Sequence, residues 1–283
     1  NQNTYQKAAH NEQLFYFCKC MNSKPIGIFD SGAGGLSIWK EINMLMPNES
    51  TIYISDSKYA PYGNKETEVI LKRSIKNTEI LLNKGCKIIV VACNTATTNA
   101  IKELRRLFSV PFIGIEPAIK PAALFTNTNS IGILATKGTL SSTLFHATSR
   151  RYTQNKNVTE QIGDGIIELI ESGKLNSSKM MNLLKKYLNP MLENNIDCIV
   201  LGCTHYHFLV PLLRQFLPEN IRIIGSGSAV ARQTKEVMIK NNLLNNDKTK
   251  INLEFYTNGS KEIMANLMTV SYTHLRAHET LIY

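Results

Sequence analysis

Two short segments of this chain occur twice, and this repetition constrains the fold more than any other feature of the sequence. Residues 26–32 (IGIFDSG) match residues 131–137 (IGILATK), and residues 89–95 (IVVACNT) match residues 199–205 (IVLGCTH). In each pair, the second copy follows about one domain length after the first. We therefore predict two similar lobes that are built from the same strand-and-turn units.

Short β-type runs alternate with longer helical patterns throughout the middle of the chain, as in the helical stretches 66–84 and 180–193. This order is typical of βαβ units with a parallel sheet. We expect an α/β protein with two similar doubly wound lobes, whose mostly parallel sheets are related by a pseudo-twofold axis, and an active site between the lobes. The predicted strands are residues 26–29, 51–55, 87–92, 112–115, 130–134, 198–201 and 221–224.

The repeat also predicts how the chain is divided between the lobes. We assign residues 21–117 and 211–270 to the first lobe and residues 118–210 to the second. This division expects the strand-like run 252–256 to return to the first sheet.

The two ends of the chain do not share this pattern. Residues 1–20 lack the apolar core and cleavage site of a secretory signal, so we interpret them as a flexible extension or a non-native leader. Residues 271–283 carry no cap or periodicity that links them to the preceding segment, and we interpret them as a cloning-derived tail. The apolar runs, such as residues 88–93, are much shorter than the ~20 residues that cross a bilayer, which argues against a membrane protein.

The chain is basic, with 32 Lys and Arg against 22 Asp and Glu and a formal net charge of +10. Such a charge suggests a polyanionic partner. The basic residues are scattered singly or in pairs, however, without the interleaved aromatic residues that stack on bases. Nucleic acid is therefore not expected as the main partner, and a small anionic substrate is favoured.

Six cysteines in a chain of 283 residues do not suggest a disulfide framework. Four of them lie in or beside apolar runs, which favours a reducing compartment such as the cytoplasm. Cys18 and Cys20 are separated by one residue and have no neighbouring Cys or His pair that would complete a metal site. We predict no metal.

Cys93 and Cys203 occupy the same position in the two copies of the second repeat, directly after a predicted strand. Ligands of open α/β sheets bind beyond the carboxyl ends of the strands, so the two thiols are expected to face one pocket from opposite sides. Inversion of a stereocentre by proton transfer needs one group to remove a proton and a second group, on the other face, to deliver one. A pair of facing thiols, one of them ionised, suits this chemistry.

A free thiol is only a few per cent ionised at neutral pH, so neighbouring groups must tune it, and Asp30, Glu171 and His205 are the candidates. This scheme requires no cofactor. The segment 32–35 (GAGG) is similar to a dinucleotide fingerprint, but Ser37 stands where that pattern needs glycine. The backbone N–H groups of this segment are instead suited to binding a carboxylate.

Five separated motifs, in the right order, resemble the glutamate racemase family over about residues 25–260. The resemblance implies a cofactor-independent isomerase that interconverts L- and D-glutamate and supplies D-glutamate for peptidoglycan. The motifs are residues 30–36 (DSGAGGL), 61–63 (PYG), 92–97 (ACNTAT), 115–118 (IEPA) and 202–206 (GCTHY).

The resemblance also implies roles for individual residues. Cys93 becomes the base toward D-glutamate and Cys203 the base toward L-glutamate, with Asp30 and His205 as their acid–base partners. Glu171 matches a further family carboxylate, although the preceding residues depart from the family pattern. The implied substrate shell consists of Asp30, Ser31, Pro61, Tyr62, Gly63, Cys93, Asn94, Thr95, Cys203, Thr204 and His205.

Several residues also have structural interpretations that the sequence leaves open. Asp30 could cap the helix that begins near Gly35, and Asp56 could cap a turn. Tyr62 could lie in a rigid turn with its ring on the surface. Cys86 and Cys198 are not followed by small polar residues, and they are expected in the core.

His207 and Gly225 are assigned no part in the chemistry. His207 is interpreted as a packing or solvated residue. Gly225 stands where family members commonly carry Asp, which puts the packing of that turn in doubt but not the chemistry.

Other functions remain open at this point. A related racemase acting on aspartate or a hydantoin would keep both thiols, whereas a Cys–His hydrolase would leave one of them unexplained. An interaction protein that binds nucleic acid would show steep salt dependence. A homodimer is a further partner that the sequence neither requires nor excludes.

Overall fold

A computed structural model describes residues 23–245 and 251–271, together with the backbone of residues 280 and 281. The expected leader, residues 1–20, lies outside the described residues, as does most of the expected tail. Within the described helices, none combines the length and the apolar character that spanning a bilayer requires.

Two sheets organise the described chain, and every strand pairing in them is parallel. The first sheet has the order β10-β9-β2-β1-β3-β4, and the second has the order β6-β5-β7-β8. The first sheet consists of β1 (Ile26–Asp30), β2 (Thr51–Ser55), β3 (Ile88–Val91), β4 (Phe112–Gly114), β9 (Leu253–Thr257) and β10 (Thr280–Leu281). The second consists of β5 (Ser130–Ala135), β6 (Asn157–Ile162), β7 (Cys198–Gly202) and β8 (Arg222–Ile224).

Helices connect these strands, as parallel pairing requires. The helices of the first half are α1 (Leu36–Leu45), α2 (Thr67–Asn83), α3 (Asn94–Leu107), α4 (Ile119–Phe125), α5 (Lys137–Leu140) and α6 (Thr143–Tyr152). Those of the second half are α7 (Ile166–Glu171), α8 (Ser178–Glu193), α9 (Val210–Phe216), α10 (Gly227–Lys240) and α11 (Lys261–Ser271). Short 3-10 helices cover Ala33–Gly35, Ser57–Tyr59, Tyr62–Asn64 and Thr204–Leu209.

The central strands β1, β3, β5 and β7 are buried along their whole length. Their apolar residues face helices on both sides of each sheet, which is why these strands are recognisable as continuous apolar runs. One cluster of buried side chains runs through both lobes and includes Ile28 of β1 and Leu201 of β7.

The predicted repeat is confirmed as a structural repeat. Its first unit forms β1 in one lobe and β5 in the other, and its second unit forms β3 and β7. In both sheets these two strands are direct neighbours at the centre, in the order 2-1-3-4. The chain therefore has the predicted two-lobed α/β fold, with a topological switch point at the centre of each sheet.

The expected boundary between the lobes at residue 211 is too early. Strand β8 pairs with β7, so the chain stays in the second lobe up to Ile224 before helix α10 packs against α1 of the first lobe. The expected return of the last strand-like run is confirmed, because β9 pairs with β2. The chain thus crosses between the lobes after β4 and again after β8, where a cavity of ≈ 730 Å³ lies.

The sequence predicts neither β6 nor β10, and β10 falls within the expected tail. Strand β6 lies at the edge of the second sheet, and its side chains are half-buried or exposed. Its sequence (NVTEQI) contains few apolar residues because an edge strand faces solvent, so it does not stand out as a buried run.

Candidate active site

The residues singled out from the sequence gather where the central strands end. Asp30 is the last residue of β1, Cys93 follows β3 and Cys203 follows β7. All three are buried, and the two thiols are close enough for the charge of one to affect the pKa of the other. The switch points of both sheets therefore contribute to one site, as predicted for facing lobes.

Cys93 lies at the N-terminus of helix α3, which it caps. Its Sγ accepts a hydrogen bond from the backbone N–H of Ala96 at 3.4 Å and lies 3.5 Å from Ser31 Oγ. Burial raises the pKa of Cys93 well above its usual value, and the negative charge of Asp30 raises it further, against the opposing bonds to Ser31 and Ala96. This environment favours the neutral thiol.

Asp30 is fully buried and makes bonds in both lobes. Its carboxylate accepts hydrogen bonds from the backbone N–H of Ser31 at 2.6 Å, from the N–H of Gly35 at 2.5 Å and from Thr204 Oγ1 at 3.1 Å. Burial raises its pKa, and the charge of His205 opposes this. The bond to Gly35 shows the structural role that the sequence left open, and the contact with Cys93 places the same carboxylate at the thiol.

Cys203 has a different partner. Its Sγ lies 3.8 Å from Nδ1 of His205, whose Nε2 lies 2.6 Å from Oε1 of Glu171. Burial lowers the pKa of His205, but the bonds to Cys203 and Glu171 outweigh it and hold that pKa well above its usual value. Burial raises the pKa of Glu171, yet its bonds to His205 and to the N–H of Ala33 bring it below its usual value. His205 is therefore held as an imidazolium beside Cys203.

The glycine-rich segment does not present its N–H groups as the sequence predicted. The N–H of Ala33 donates to Oε1 of Glu171 at 2.6 Å, and that of Gly35 donates to Asp30. Carboxylates of the protein thus occupy these donors, which corrects the expectation that the segment is suited to a substrate carboxylate. At Gly34 a Cβ atom would lie 2.5 Å from the backbone N of His205, so only glycine lets His205 lie this close.

Asn94 is a candidate substrate ligand with an unusual environment. Its side chain is only 2% exposed, and neither its Oδ1 nor its Nδ2 has a hydrogen-bond partner among the described residues. Buried polar groups in folded proteins nearly always have such partners. An amide that offers both a donor and an acceptor beside Cys93 suits a substrate with carboxylate and ammonium groups.

The remaining predicted residues line the junction of the lobes. Thr95 Oγ1 lies 2.9 Å from Thr136 Oγ1 of the second lobe, and a Cβ atom at Gly63 would lie 2.7 Å from Thr136 Cβ. Tyr62 is 1% exposed, so the alternative of a surface ring is wrong. Pro61 precedes it at the start of the Tyr62–Asn64 helix.

Asp56, for which the sequence suggests a turn cap, belongs to this region. Its side chain makes no helix cap, so the turn-capping interpretation is wrong. It is 1% exposed and binds Tyr62 and Arg73. Its place after β2, at the same sheet edge as Asp30, is the sequence signal that could have revealed it.

The residues expected to be structural are buried as predicted. Cys86 and Cys198 lie in the core, where burial raises their pKa values to about 12 and about 11. His207 is half-buried, with Nδ1 3.3 Å from the carbonyl oxygen of Thr204. Gly225 contacts the ring of His207, so the absence of a side chain at residue 225 makes room for that ring.

Comparisons with known proteins show the family of this chain. The family model described as Asp/Glu/Hydantoin racemase matches residues 39–234. A glutamate racemase of Stutzerimonas stutzeri is 43% identical over 248 residues, which cover 87% of this chain and 93% of that protein. The chain belongs to the glutamate racemase family. A glutamate racemase of Ectopseudomonas mendocina is 45% identical over 78% of the racemase described here and 84% of its own length.

Solved structures of glutamate racemases have the same fold as this racemase. The glutamate racemase of Escherichia coli, in complex with L-glutamate and the activator UDP-MurNAc-Ala, matches with a TM-score of 0.78 and 32% identity, covering 91% of this chain and 97% of that one. The glutamate racemase of Francisella tularensis, in complex with D-glutamate, matches with a TM-score of 0.77 and 26% identity, covering 93% and 98%. The protein is therefore an amino-acid racemase, an isomerase.

Proposed function

We propose that this racemase interconverts L- and D-glutamate without a cofactor, by proton transfer between two thiols on opposite faces of the α-carbon. The observation that carries the proposal is the placement of Cys93 and Cys203, which follow equivalent strands of the two lobes and meet at one buried site. A stereocentre is inverted when one face loses a proton and the other gains one.

The two thiols have different charged neighbours. Cys93 lies beside the buried carboxylate of Asp30, which favours its neutral form. Cys203 lies beside His205, and an imidazolium stabilises a neighbouring thiolate. The proposed cycle therefore starts with a thiol at Cys93 and leaves Cys203 to act as the thiolate base.

The reaction follows from these states. The thiolate of Cys203 takes the α-proton of L-glutamate, and the C–H electron pair stays on carbon as a carbanion. The thiol of Cys93 then delivers its proton to the opposite face, which gives D-glutamate, a thiolate at Cys93 and a thiol at Cys203. D-glutamate is converted in the reverse direction, with Cys93 as the base.

The substrate shell is proposed from the same geometry. Asn94 offers an unpartnered buried amide, while Thr95 and Thr204 offer hydroxyls next to the thiols. Ser31 and the backbone of Pro61, Tyr62 and Gly63 complete the shell. The L-glutamate and D-glutamate complexes of the Escherichia coli and Francisella tularensis relatives support glutamate as the substrate.

We further propose that the D-glutamate made here supplies peptidoglycan synthesis and that the enzyme works in the cytoplasm. The family resemblance supports the first point. The four described cysteines, all free and buried, support a reducing compartment.

The test is incubation of the protein and four alanine variants with L- or D-glutamate in D2O, following optical rotation and α-deuterium by NMR. Cys93→Ala and Cys203→Ala should abolish racemisation. Cys93→Ala retains Cys203 and should exchange only L-glutamate, whereas Cys203→Ala should exchange only D-glutamate.

Cys86→Ala and Cys198→Ala are the matched controls, because each removes a buried thiol from one lobe. Both should racemise glutamate, with reduced thermal stability. Racemisation that persists in either Cys93→Ala or Cys203→Ala would disprove the two-thiol mechanism. Racemisation of aspartate in place of glutamate would disprove the proposal that glutamate is the substrate.

A further inference from the structure

A second buried carboxylate lies close to the proposed active site. Asp56 follows strand β2, and its backbone N–H donates to the carbonyl oxygen of Asp30 at 3.0 Å. Its side chain is 1% exposed. An unpaired carboxylate is costly at such burial, so the partners of Asp56 indicate its purpose.

Asp56 binds three separate segments of the first lobe. Oδ2 accepts hydrogen bonds from Tyr62 Oη at 2.5 Å and from Arg73 Nε at 2.8 Å, and Oδ1 accepts from Arg73 Nη2 at 2.5 Å. Oδ1 also accepts from Asn258 Nδ2 at 2.5 Å. Arg73 belongs to helix α2 and Asn258 follows β9, so one carboxylate ties the Tyr62 segment to a helix and to a strand end.

Tyr62 connects Asp56 to the proposed active site. Its ring is buried in the same apolar cluster as Cys93. The next residue, Gly63, contacts Thr136, which in turn bonds to Thr95 of helix α3. The position of the Tyr62 ring therefore sets where the backbone of Pro61, Tyr62 and Gly63 lies beside the substrate.

Arg73 neutralises the charge of Asp56 and also fixes the orientation of the carboxylate. The guanidinium donates two bonds to the carboxylate and lies 3.8 Å from the centroid of the Tyr59 ring. Tyr59 and Tyr62 flank the Ala60–Pro61 peptide. Both ends of the segment that carries Pro61 are thus attached to the same ion pair.

We propose that Asp56 is a positioning residue for glutamate, because it holds the 61–63 segment in place through Tyr62 and Arg73. This inference rests on the proposed function, since it assumes that the segment contacts the substrate. The effect should appear in KM more than in kcat, because the segment holds the substrate equally before and during proton transfer.

The protein contains a suitable control for a purely structural ion pair. Lys87 and Glu49 lie 2.6 Å apart and are 0% and 3% exposed, just before strands β3 and β2. They therefore lie at the opposite edge of the same sheet from Asp56. Glu49→Gln removes a buried charge at that edge without touching the site.

The experiment measures KM, kcat and the thermal midpoint for the parent protein, Asp56→Asn, Tyr62→Phe, their combination and Glu49→Gln. Asp56→Asn should raise KM for both enantiomers at least about tenfold, as expected for the loss of a charged hydrogen bond, with kcat changed less than about threefold. Tyr62→Phe should raise KM by a smaller factor. The double variant should not exceed Asp56→Asn, because both changes remove the same bond.

Glu49→Gln should lower the thermal midpoint as Asp56→Asn does while leaving KM unchanged. If Asp56→Asn only lowers the midpoint, or changes kcat at constant KM, the positioning role is wrong. If Asp56→Asn does not fold, Tyr62→Phe tests the proposal by itself, since it keeps the ion pair and removes the hydroxyl that bonds to Asp56 and lies 3.4 Å from Asn77 Nδ2. If the parent protein racemises no amino acid, the proposed function is refuted together with the positioning role. If only the variants fail to show the expected KM values, the positioning role alone is refuted.

Discussion

Replacement of Glu171 by glutamine tests the charge that supports Cys203. Oε1 of Glu171 lies 2.6 Å from His205 Nε2 and accepts the N–H of Ala33. A glutamine at residue 171 keeps an oxygen for both contacts, removes the negative charge and replaces the second carboxylate oxygen, with Ser57 nearby, by an amide NH2. We expect the imidazolium of His205, and with it the thiolate of Cys203, to become less stable.

The magnitude follows from the bond that is changed. The two side chains are 1% and 13% exposed, so water screens their interaction little. A hydrogen bond to a charged group contributes about 1 to 2 kcal/mol more than a neutral one, which corresponds to a loss of about 5- to 30-fold in kcat/KM. The loss must be equal in both directions, because L- and D-glutamate have the same free energy in water.

The pH dependence has a definite sign. Glu171 helps to raise the pKa of His205, so the variant loses its imidazolium at a lower pH than the parent. The alkaline decline of kcat/KM should therefore begin at lower pH in Glu171→Gln. Cys203 and His205 interact, so the observed values belong to the pair.

The assay is circular dichroism at fixed wavelength, with initial rates from each enantiomer between pH 6 and pH 10. Glu168→Gln is the control, because Glu168 lies on the same helix α7 and is exposed. An unchanged kcat/KM in Glu171→Gln, or an equal loss in Glu168→Gln, would refute the reasoning about this charge.

Two further predictions concern a close contact and a loop. Gly34→Ala should reduce activity at least about 100-fold, because its Cβ would displace His205, whereas Gly85→Ala, whose Cβ meets no atom within 4 Å, should cost stability only. Asp197→Asn should destabilise the protein at pH 7. Burial raises the pKa of Asp197, but hydrogen bonds from the N–H groups of Asn127 and Thr128 bring this pKa to about 2. The pKa of Asp197 in the folded protein is then below the unfolded value of about 3.9. The difference in thermal midpoint between parent and variant should therefore vanish as the pH falls from about 4 through 2. A difference that persists at pH 2 would show that the charge is not its source.

The central strands could be predicted because their burial leaves a clear trace in the sequence. Strands β1, β3, β5 and β7 are buried along their whole length and mostly apolar, and the repeat marks which of them correspond. Side chains that directly follow these strands, such as Cys93 and Cys203, could therefore be placed at the carboxyl ends of the two sheets from the sequence alone.

What could not be predicted depends on contacts between distant segments. Strand β8 has only three residues, and its sequence does not indicate which of the two sheets it joins. Its pairing with β7 therefore could not be predicted. The N–H of Ala33 was assigned to a substrate carboxylate because nothing local shows that Glu171, 138 residues away, occupies it. Asp56 was set aside for the same reason, since its partners Arg73 and Asn258 lie 17 and 202 residues away.

The two crossings between the lobes lie side by side, where Ser226 Oγ donates to the carbonyl oxygen of Glu116 at 2.5 Å. The second lobe therefore leaves and re-enters the first at neighbouring points, like a module inserted into a host domain. An insertion with adjacent ends can be exchanged as a cassette between homologous genes, because the host segments on either side keep their positions. Chimeras joined at these two crossings would bring a Cys203 from one parent to a Cys93 from another, and would show how far the two halves of the enzyme have evolved independently.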